Sequence, residues 1–168
     1  MREMKLTHAR PEDAGQLADL ESRCFPECEA ASGKQIEERI GMYGNHFVLL
    51  KDDDDRIVAY ADGMVSNVGD LFDTMYEDAF LHKEDGRWQM IFGVGTDPAY
   101  RHQGLAGKVM HQMIQEAKEQ NRYGLVLTCK DELVPFYSSF GFEDEGISSS
   151  SNHGGVKWHQ MRLSLKEG

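Results

Sequence analysis

The chain has 168 residues, 40% of them apolar and 28% charged, which predicts one soluble globular domain over 1–168 with a proper core. Its net charge is −11 with no basic block. That disfavours nucleic-acid binding, which needs clustered Lys and Arg, and favours cationic partners such as amines and polyamines. No apolar run approaches the ~20 residues of a membrane span, and the N-terminus has no basic-then-apolar leader, so a cytoplasmic protein without membrane contact is expected.

Met4 to His8 alternate as a short strand would. Arg10-Pro11-Glu12-Asp13 then opens a helix: proline suits the first turn, carboxylates suit the dipole, and Leu17, Leu20 and Cys24 form a buried face. Cys24 and Cys28 stand at C-x-x-x-C spacing, but no second pair follows, so no metal site is expected. Three cysteines in all, an odd number, fit a reducing compartment. Lys34 to Met42 reads as a short helix with Ile36 and Ile40 as its apolar pair. Phe47–Leu50 and Ile57–Ala61 read as strands joined by Asp52-Asp53-Asp54-Asp55, a solvated turn that lacks the glycine and distal glutamate of a calcium loop.

Residues 66–87 form a connection too long to be ordinary. It mixes acids (Asp70, Asp73, Glu77, Asp78) with Leu71, Phe72, Met75, Tyr76 and Phe80 at helical spacing. Two readings stand open: a short amphipathic helix packed on the sheet, or a wall over an acceptor site with aromatics for an apolar amine and carboxylates for its charge.

The rest of the chain is organised around Trp88 to Phe142. An apolar run, Met90 to Val94, leads through Gly95-Thr96-Asp97-Pro98-Ala99-Tyr100 into Arg101-His102-Gln103-Gly104-Leu105-Ala106-Gly107. There a helix opens with Ala106, Val109, Met110, Met113, Ile114 and Ala117 on one face. A helix start leaves amides unpaired under a partial positive charge. Gly104 and Gly107 let an anion approach, so the loop suits a pyrophosphate. A second strand, Gly124 to Cys129, leads to a short helix carrying Phe136-Tyr137-Ser138-Ser139-Phe140-Gly141-Phe142. Phe142–Ser149 and Val156–Leu165 read as a terminal antiparallel pair joined by 148–155. The apolar phase slips between Val156/Trp158 and Met161/Leu163/Leu165, which implies a bulge or burial on both faces.

Arg101-x-x-Gly104-x-Ala106 resembles the acetyl-CoA loop of the GCN5-related N-acetyltransferases, and Tyr137-x-x-x-Gly141-Phe142 resembles that family's second signature, one helix and one strand downstream. Leu127 to Tyr137, and Glu21 to Pro26, are similar to the arylalkylamine N-acetyltransferase group. The resemblance implies a mixed α/β (α+β) fold, a single domain whose mostly antiparallel twisted sheet of about six to seven strands, flanked by about four helices, splays at its centre. It implies acetyl-CoA as co-substrate and a small-molecule amine as acceptor. Acetyl would transfer by direct attack in a ternary complex, with a small cationic or arylalkyl amine as the leading acceptor. A polyamine, an aminoglycoside, a protein N-terminus, or a non-catalytic acyl-CoA sensor are the alternatives.

By the same resemblance, Val94, Gly95 and Thr96 hold the pantetheine arm. Arg101, His102, Gln103, Gly104, Leu105, Ala106, Gly107 and Lys108 hold the pyrophosphate, and Cys129 and Phe136 flank the cofactor. Tyr137 is the general acid toward the departing thiolate. Because a phenol (pKa about 10) is weaker than a thiol (about 8.5), that role requires coupled transfer or a lowered tyrosine pKa. Phe25, Glu29, Phe72, Asp73, Tyr76 and Glu77 are assigned to the acceptor. The base is open: Met90 and Phe92 replace the paired histidines of the vertebrate arylalkylamine enzymes, leaving Glu29, Asp73, Glu77, His82, His153 or water. A homodimer through the C-terminal strands is also open.

Overall fold

A computed structural model describes residues 4–26, 29–148 and 157–165. In chain order these form β1 (Lys5–His8), α1 (Ala14–Cys24), α2 (Gly33–Tyr43), β2 (Phe47–Lys51), β3 (Ile57–Asp62), β4 (Val65–Ser66) and α3 (Thr74–Glu77). Next come β5 (Trp88–Ile91), β6 (Gly93–Thr96), α4 (Leu105–Glu119), β7 (Gly124–Cys129), α5 (Val134–Ser138), β8 (Glu143–Ile147) and β9 (His159–Ser164). The strands build two sheets, β1-β2-β3-β6 and β4-β5-β7-β9-β8. Every pairing is antiparallel except β5 with β7. This is the expected mixed fold. The expected strand count treats β5 and β6 as one strand and omits two-residue β4.

Two compact units result. One comprises Met1–Gly63 with Gly93–Met113, the other Met64–Phe92 with Ile114–Gly168. In the first, every residue of β2 and β3 is buried, as strands covered on both faces should be. The expected helix at Arg10 begins later, because Pro11–Asp13 forms a 3-10 turn and the Arg10 amide donates to Asp13 Oδ2 at 2.9 Å. Helix α2 opens on a reciprocal cap: the Gln35 amide donates to Ser32 Oγ at 3.1 Å, and the Ser32 amide to Gln35 Oε1 at 2.9 Å, which satisfies two otherwise orphaned donors. The aspartate run is the expected turn, with Asp52 Oδ1 accepting from the Asp54 and Arg56 amides at 2.9 and 3.0 Å. Lys51, next to it, is buried and reaches Asp13 Oδ1 at 2.9 Å.

In the second unit, residues 66–87 contain one turn of α-helix, α3, and a 3-10 turn, Ala79–Leu81. Leu71 and Met75 are fully buried while Phe80 is exposed, so the amphipathic reading describes the Leu71/Met75 pair. The segment is clasped by side chains from β9. The Leu71 amide donates to Gln160 Oε1 at 3.0 Å. Arg162 donates to the Gly69 carbonyl at 2.7 Å, to Asp70 at 2.8 Å and to Glu145 at 2.8 Å, with its guanidinium over the Trp88 ring at 4.7 Å.

The terminal pair forms as expected, with one correction. The bulge expected in the last strand lies opposite it, in β8, where the register shifts between Asp144 and Ile147 and Gly146 takes φ 90°. Within β9 only Met161 is fully buried. Cys28, His153 and most of the 148–155 connection fall outside the described residues.

Candidate active site

In the first unit, β6 runs Gly93-Val94-Gly95-Thr96 with the glycines buried and Val94 and Thr96 half-exposed. It pairs with β3 and, among the described residues, with no strand on its other side. The glycines have a reason that the sequence hid. A Cβ on Gly95 would stand 2.7 Å from Tyr60 Cε1 and 3.2 Å from Cys24 Sγ, and one on Gly93 3.1 Å from Asp62 Oδ1. Their bare faces therefore seat buried side chains. A cofactor arm would meet the other face, where Val94 and Thr96 project.

Beyond β6, Asp97 is buried and accepts from the Ala99 amide at 2.9 Å and from Arg56 at 2.9 Å, with Arg23 at 3.3 Å. Burial pushes its carboxyl up, but the amide and two guanidinium groups outweigh this and hold it below the usual range. The loop then exposes Arg101, His102, Gln103 and Gly104. His102 and Gly104 take φ 67° and 74°. A Cβ on Gly104 would meet nothing within 4 Å, so its surroundings are open. Helix α4 starts at Leu105, whose side chain is buried; Ala106 and Gly107 are half-exposed and Lys108 exposed. Unpaired first-turn amides beside exposed Arg101 and Lys108 make a fit for a pyrophosphate.

Behind β6 lies a cluster that sequence reasoning missed. The Tyr60 hydroxyl donates to Glu21 Oε2, whose other oxygen accepts from the Ala31 amide at 3.0 Å. Asp62 Oδ2 stands 3.3 Å from Arg39 Nη1, and both are buried. Burial pushes Asp62 up to about 7, with Arg39 opposing and Glu21 adding to the rise. Tyr60 and Tyr43 are raised by burial as well. Cys24 donates to the Thr96 carbonyl at 3.3 Å, and burial raises its thiol against the pull of Arg101. A signal was present: Glu21 follows Leu17 by four positions, Arg39 follows Ile36 by three, and Tyr60 and Asp62 alternate on an apolar strand.

In the second unit, Tyr137 is buried, its ring edge-on to Phe136 at 5.0 Å and Phe142 at 6.2 Å. Burial, then Cys129 and Tyr76, raise its phenol above the ordinary value. The direction is opposite to a lowered tyrosine pKa and favours coupled transfer as the route for this phenol. Cys129 donates to Met161 Sδ at 3.5 Å, and burial with Asp144, Glu132 and Asp131 pushes its thiol up to about 12; it stays a thiol and is no nucleophile. Tyr76 shares a 2.9 Å hydrogen bond with Thr128 Oγ1, and its ring lies 4.7 Å from Phe92.

Of the expected acceptor residues, Phe72, Asp73 and Tyr76 are half-buried within the second unit and Glu77 is exposed. Phe25 and Glu29 are half-buried in the α1–α2 connection of the first. Among the candidate bases, His82 is committed elsewhere. Its Nδ1 accepts from the Val65 amide at 3.0 Å, so Nε2 carries the proton toward Glu84 at 2.8 Å.

The acetyltransferase (GNAT) domain model matches residues 10–165, spanning both units. Glucosamine 6-phosphate N-acetyltransferase 1 of Oryza sativa subsp. japonica is 26% identical over 122 residues, 73% of this chain and 68% of its own length. Serotonin N-acetyltransferase of Mesocricetus auratus is 23% identical over 164 residues, 93% of this chain and 75% of its own. Among solved structures, the GphF GNAT-like decarboxylase in complex with isobutyryl-CoA shares the fold at TM-score 0.83 and 19% identity, covering 96% of this chain and 100% of that one.

Proposed function

This chain belongs to the acetyltransferase (GNAT) domain family, and on that premise we propose that it moves acetyl from acetyl-CoA to the nitrogen of a small cationic amine, by direct attack, with 1–168 working as one catalytic domain. The observation that carries the reading is the passage from β6 into α4: a strand paired, among the described residues, on one side, then an exposed loop with two left-handed residues, then a helix start, where the first amides have no partner within the helix. Such a run offers hydrogen bonds to an extended arm and then a seat for a pyrophosphate.

Acetyl-CoA, when bound, supplies the thioester. Val94 and Thr96 would bind the pantetheine arm, and the Val94 amide would stabilise the developing oxyanion. Arg101 to Lys108 would hold the pyrophosphate, with Cys129 and Phe136 beside the arm. Tyr137 keeps its proton because burial raises its phenol. It would donate a hydrogen bond to the leaving sulfur and release the proton only as the C–S bond breaks, since full transfer to a free thiolate runs uphill. Phe25, Glu29, Phe72, Asp73, Tyr76 and Glu77 would meet the acceptor. The net charge of −11 favours a cationic acceptor, and the named relatives acetylate different amines, so their substrates leave the choice to experiment. A cytoplasmic location and a homodimer through the terminal strands belong to the same reading; size-exclusion chromatography tests the dimer.

The deciding experiment is thiol release from acetyl-CoA against arylalkylamines, polyamines, aminoglycosides, amino sugars and short peptides. Turnover with a small amine is the expected result, and aromatic amines alone would single out the arylalkyl reading. Turnover with peptides alone would overturn the small-amine acceptor. No release with any of them, alongside tight acetyl-CoA binding, would overturn the enzyme reading in favour of a sensor.

A further inference from the structure

Residues 66–87 are long enough for a lid, yet side chains of the second sheet hold them, and the holds converge on one of its faces. Gln160 of β9 stands opposite Thr128 of β7, and Arg162 opposite Val126. Side chains alternate along a strand, so Gln160, Arg162 and Thr128 project from the same face. On it, Arg162 donates to the Gly69 carbonyl at 2.7 Å and Gln160 accepts from the Leu71 amide at 3.0 Å. Both donate to Asp70 Oδ1, at 2.8 and 3.0 Å. Further along the segment, the Tyr76 hydroxyl shares its 2.9 Å bond with Thr128, and the Tyr76 ring lies 4.7 Å from Phe92. Resting on the acetyl-transfer reading above, we propose that Arg162 and Gln160 are positioning residues for acceptor selectivity. They fix residues 69–71 on the sheet and so hold Tyr76, with Phe92 and Thr128, as a preformed wall of the acceptor site.

Between the two anchors the chain has little freedom. Leu71 and Met75 are fully buried, and the Met75 and Tyr76 amides donate to the Phe72 and Asp73 carbonyls at 3.0 Å. A displacement at 69–71 is therefore passed to Tyr76 and not absorbed on the way. Tyr76, Phe92 and Thr128 are each half-buried, so the wall keeps surface for a ligand to touch. The Tyr76 phenol also acts electrostatically on Tyr137, the proton donor of the proposed reaction, which places the wall near a reacting group of the same unit.

The clasp is built to orient more than to stabilise. Asp70 is 66% exposed and Glu145 36%, and ion pairs this open add little net stability. A guanidinium fork adds fixed geometry instead, because its donors leave one plane in set directions. Arg162 takes Glu145 of β8 through Nε and Nη2, at 2.8 and 3.1 Å, while Nη1 takes Gly69. Gln160 donates to the same carboxylate at 2.8 Å, so the two side chains are tied to each other as well as to the segment.

The test compares the wild-type protein with Arg162→Gln, Arg162→Lys and Gln160→Met. Each is assayed with the best amine of the panel and with a truncated analogue that keeps the amine but lacks the group that would reach Tyr76. Arg162→Gln and Gln160→Met should raise KM for the full amine about tenfold, with kcat and acetyl-CoA affinity held within about twofold. The truncated amine should lose nothing, so selectivity between the two amines falls by the same factor. A clasp that served folding alone would lower activity toward both alike. Arg162→Lys keeps the charge without the fork and should recover only part of the selectivity. Hydrogen exchange at the Met75 and Tyr76 amides gives a readout that needs no turnover. It should quicken about tenfold in Arg162→Gln and Gln160→Met, with the β7 amides unchanged. Unaltered exchange in both variants overturns the clasp, and quickened exchange with unaltered selectivity overturns its role at the acceptor site. Gln160→Met decides alone if Arg162→Gln fails to fold. Either negative result leaves acetyl transfer standing, whereas a wild-type protein that turns over no amine removes that reading and the selectivity role with it.

Discussion

If the β6 glycines exist to seat Tyr60, then Gly95→Ala should damage folding before it damages catalysis. The added Cβ would lie 2.7 Å from Tyr60 Cε1, 3.2 Å from Tyr60 Cζ and 3.2 Å from Cys24 Sγ, where ordinary contact begins at 3.4 Å. The ring cannot swing aside, because Tyr60 is buried and its hydroxyl is bonded to Glu21. The strand must therefore yield by about 0.7 Å, and overpacking of this kind costs about 1–3 kcal/mol. With a urea slope of about 2 kcal/mol/M, a loss of 2 kcal/mol moves the midpoint down by about 1 M. Because the strand moves, the Val94 and Thr96 amides move too, so acetyl-CoA affinity should fall in parallel. The control is the same substitution in a Tyr60→Leu background, where the opposing ring atoms are gone and the penalty should shrink. A penalty below about 0.5 kcal/mol, or an equal one in both backgrounds, would refute the packing argument.

Tyr137→Phe should lower turnover by about 10²–10⁴-fold with little change in acetyl-CoA affinity, read by steady-state kinetics and equilibrium titration. Asp62 should leave a signature in stability. Burial raises its carboxyl from the ordinary 3.8 to about 7 in the folded protein, so its contribution is fully present below about pH 4 and is lost as pH rises through 7. Urea melts of the wild-type protein should lose stability relative to Asp62→Asn across that window. Lys51→Met leaves Asp13 buried without its 2.9 Å partner and should cost about 3–5 kcal/mol; adding Asp13→Leu should recover much of it in a double-mutant cycle. Gly104→Ala meets no atom within 4 Å but must hold φ 74°, so only the backbone term of about 1–2 kcal/mol should appear.

Elements with their own periodicity were legible in advance. The apolar pair Ile36/Ile40, the six-residue strand Gly124–Cys129 and the turn at Asp52–Asp55 appear where the pattern places them. The loop from Arg101 to Lys108 was legible for a related reason: glycine at a strand-to-helix junction is a local backbone requirement, and Gly104 meets it with φ 74°. Residues 66–87 were harder to read, because Asp70 and Leu71 are anchored by Arg162 and Gln160, about ninety positions away. The displaced bulge has the same origin: strand phase shows that a register shift exists, but which of two paired strands absorbs it depends on both.

What the sequence determined by itself was what short-range physics controls: helix and strand periods, the strand–loop–helix junction, and the aromatic run at Tyr137. Only the tertiary structure decided that Gly93 and Gly95 back onto Tyr60 and Asp62, that Tyr137 is pushed up rather than down, and that Cys129 stays a thiol near 12. Those properties are set by burial and by charges brought together from separate elements. Glu21, Arg39, Tyr60 and Asp62 come from two helices and one strand, and each looks ordinary in its own segment. Desolvation shifts their titration, and desolvation is a property of the folded core, not of any stretch of chain.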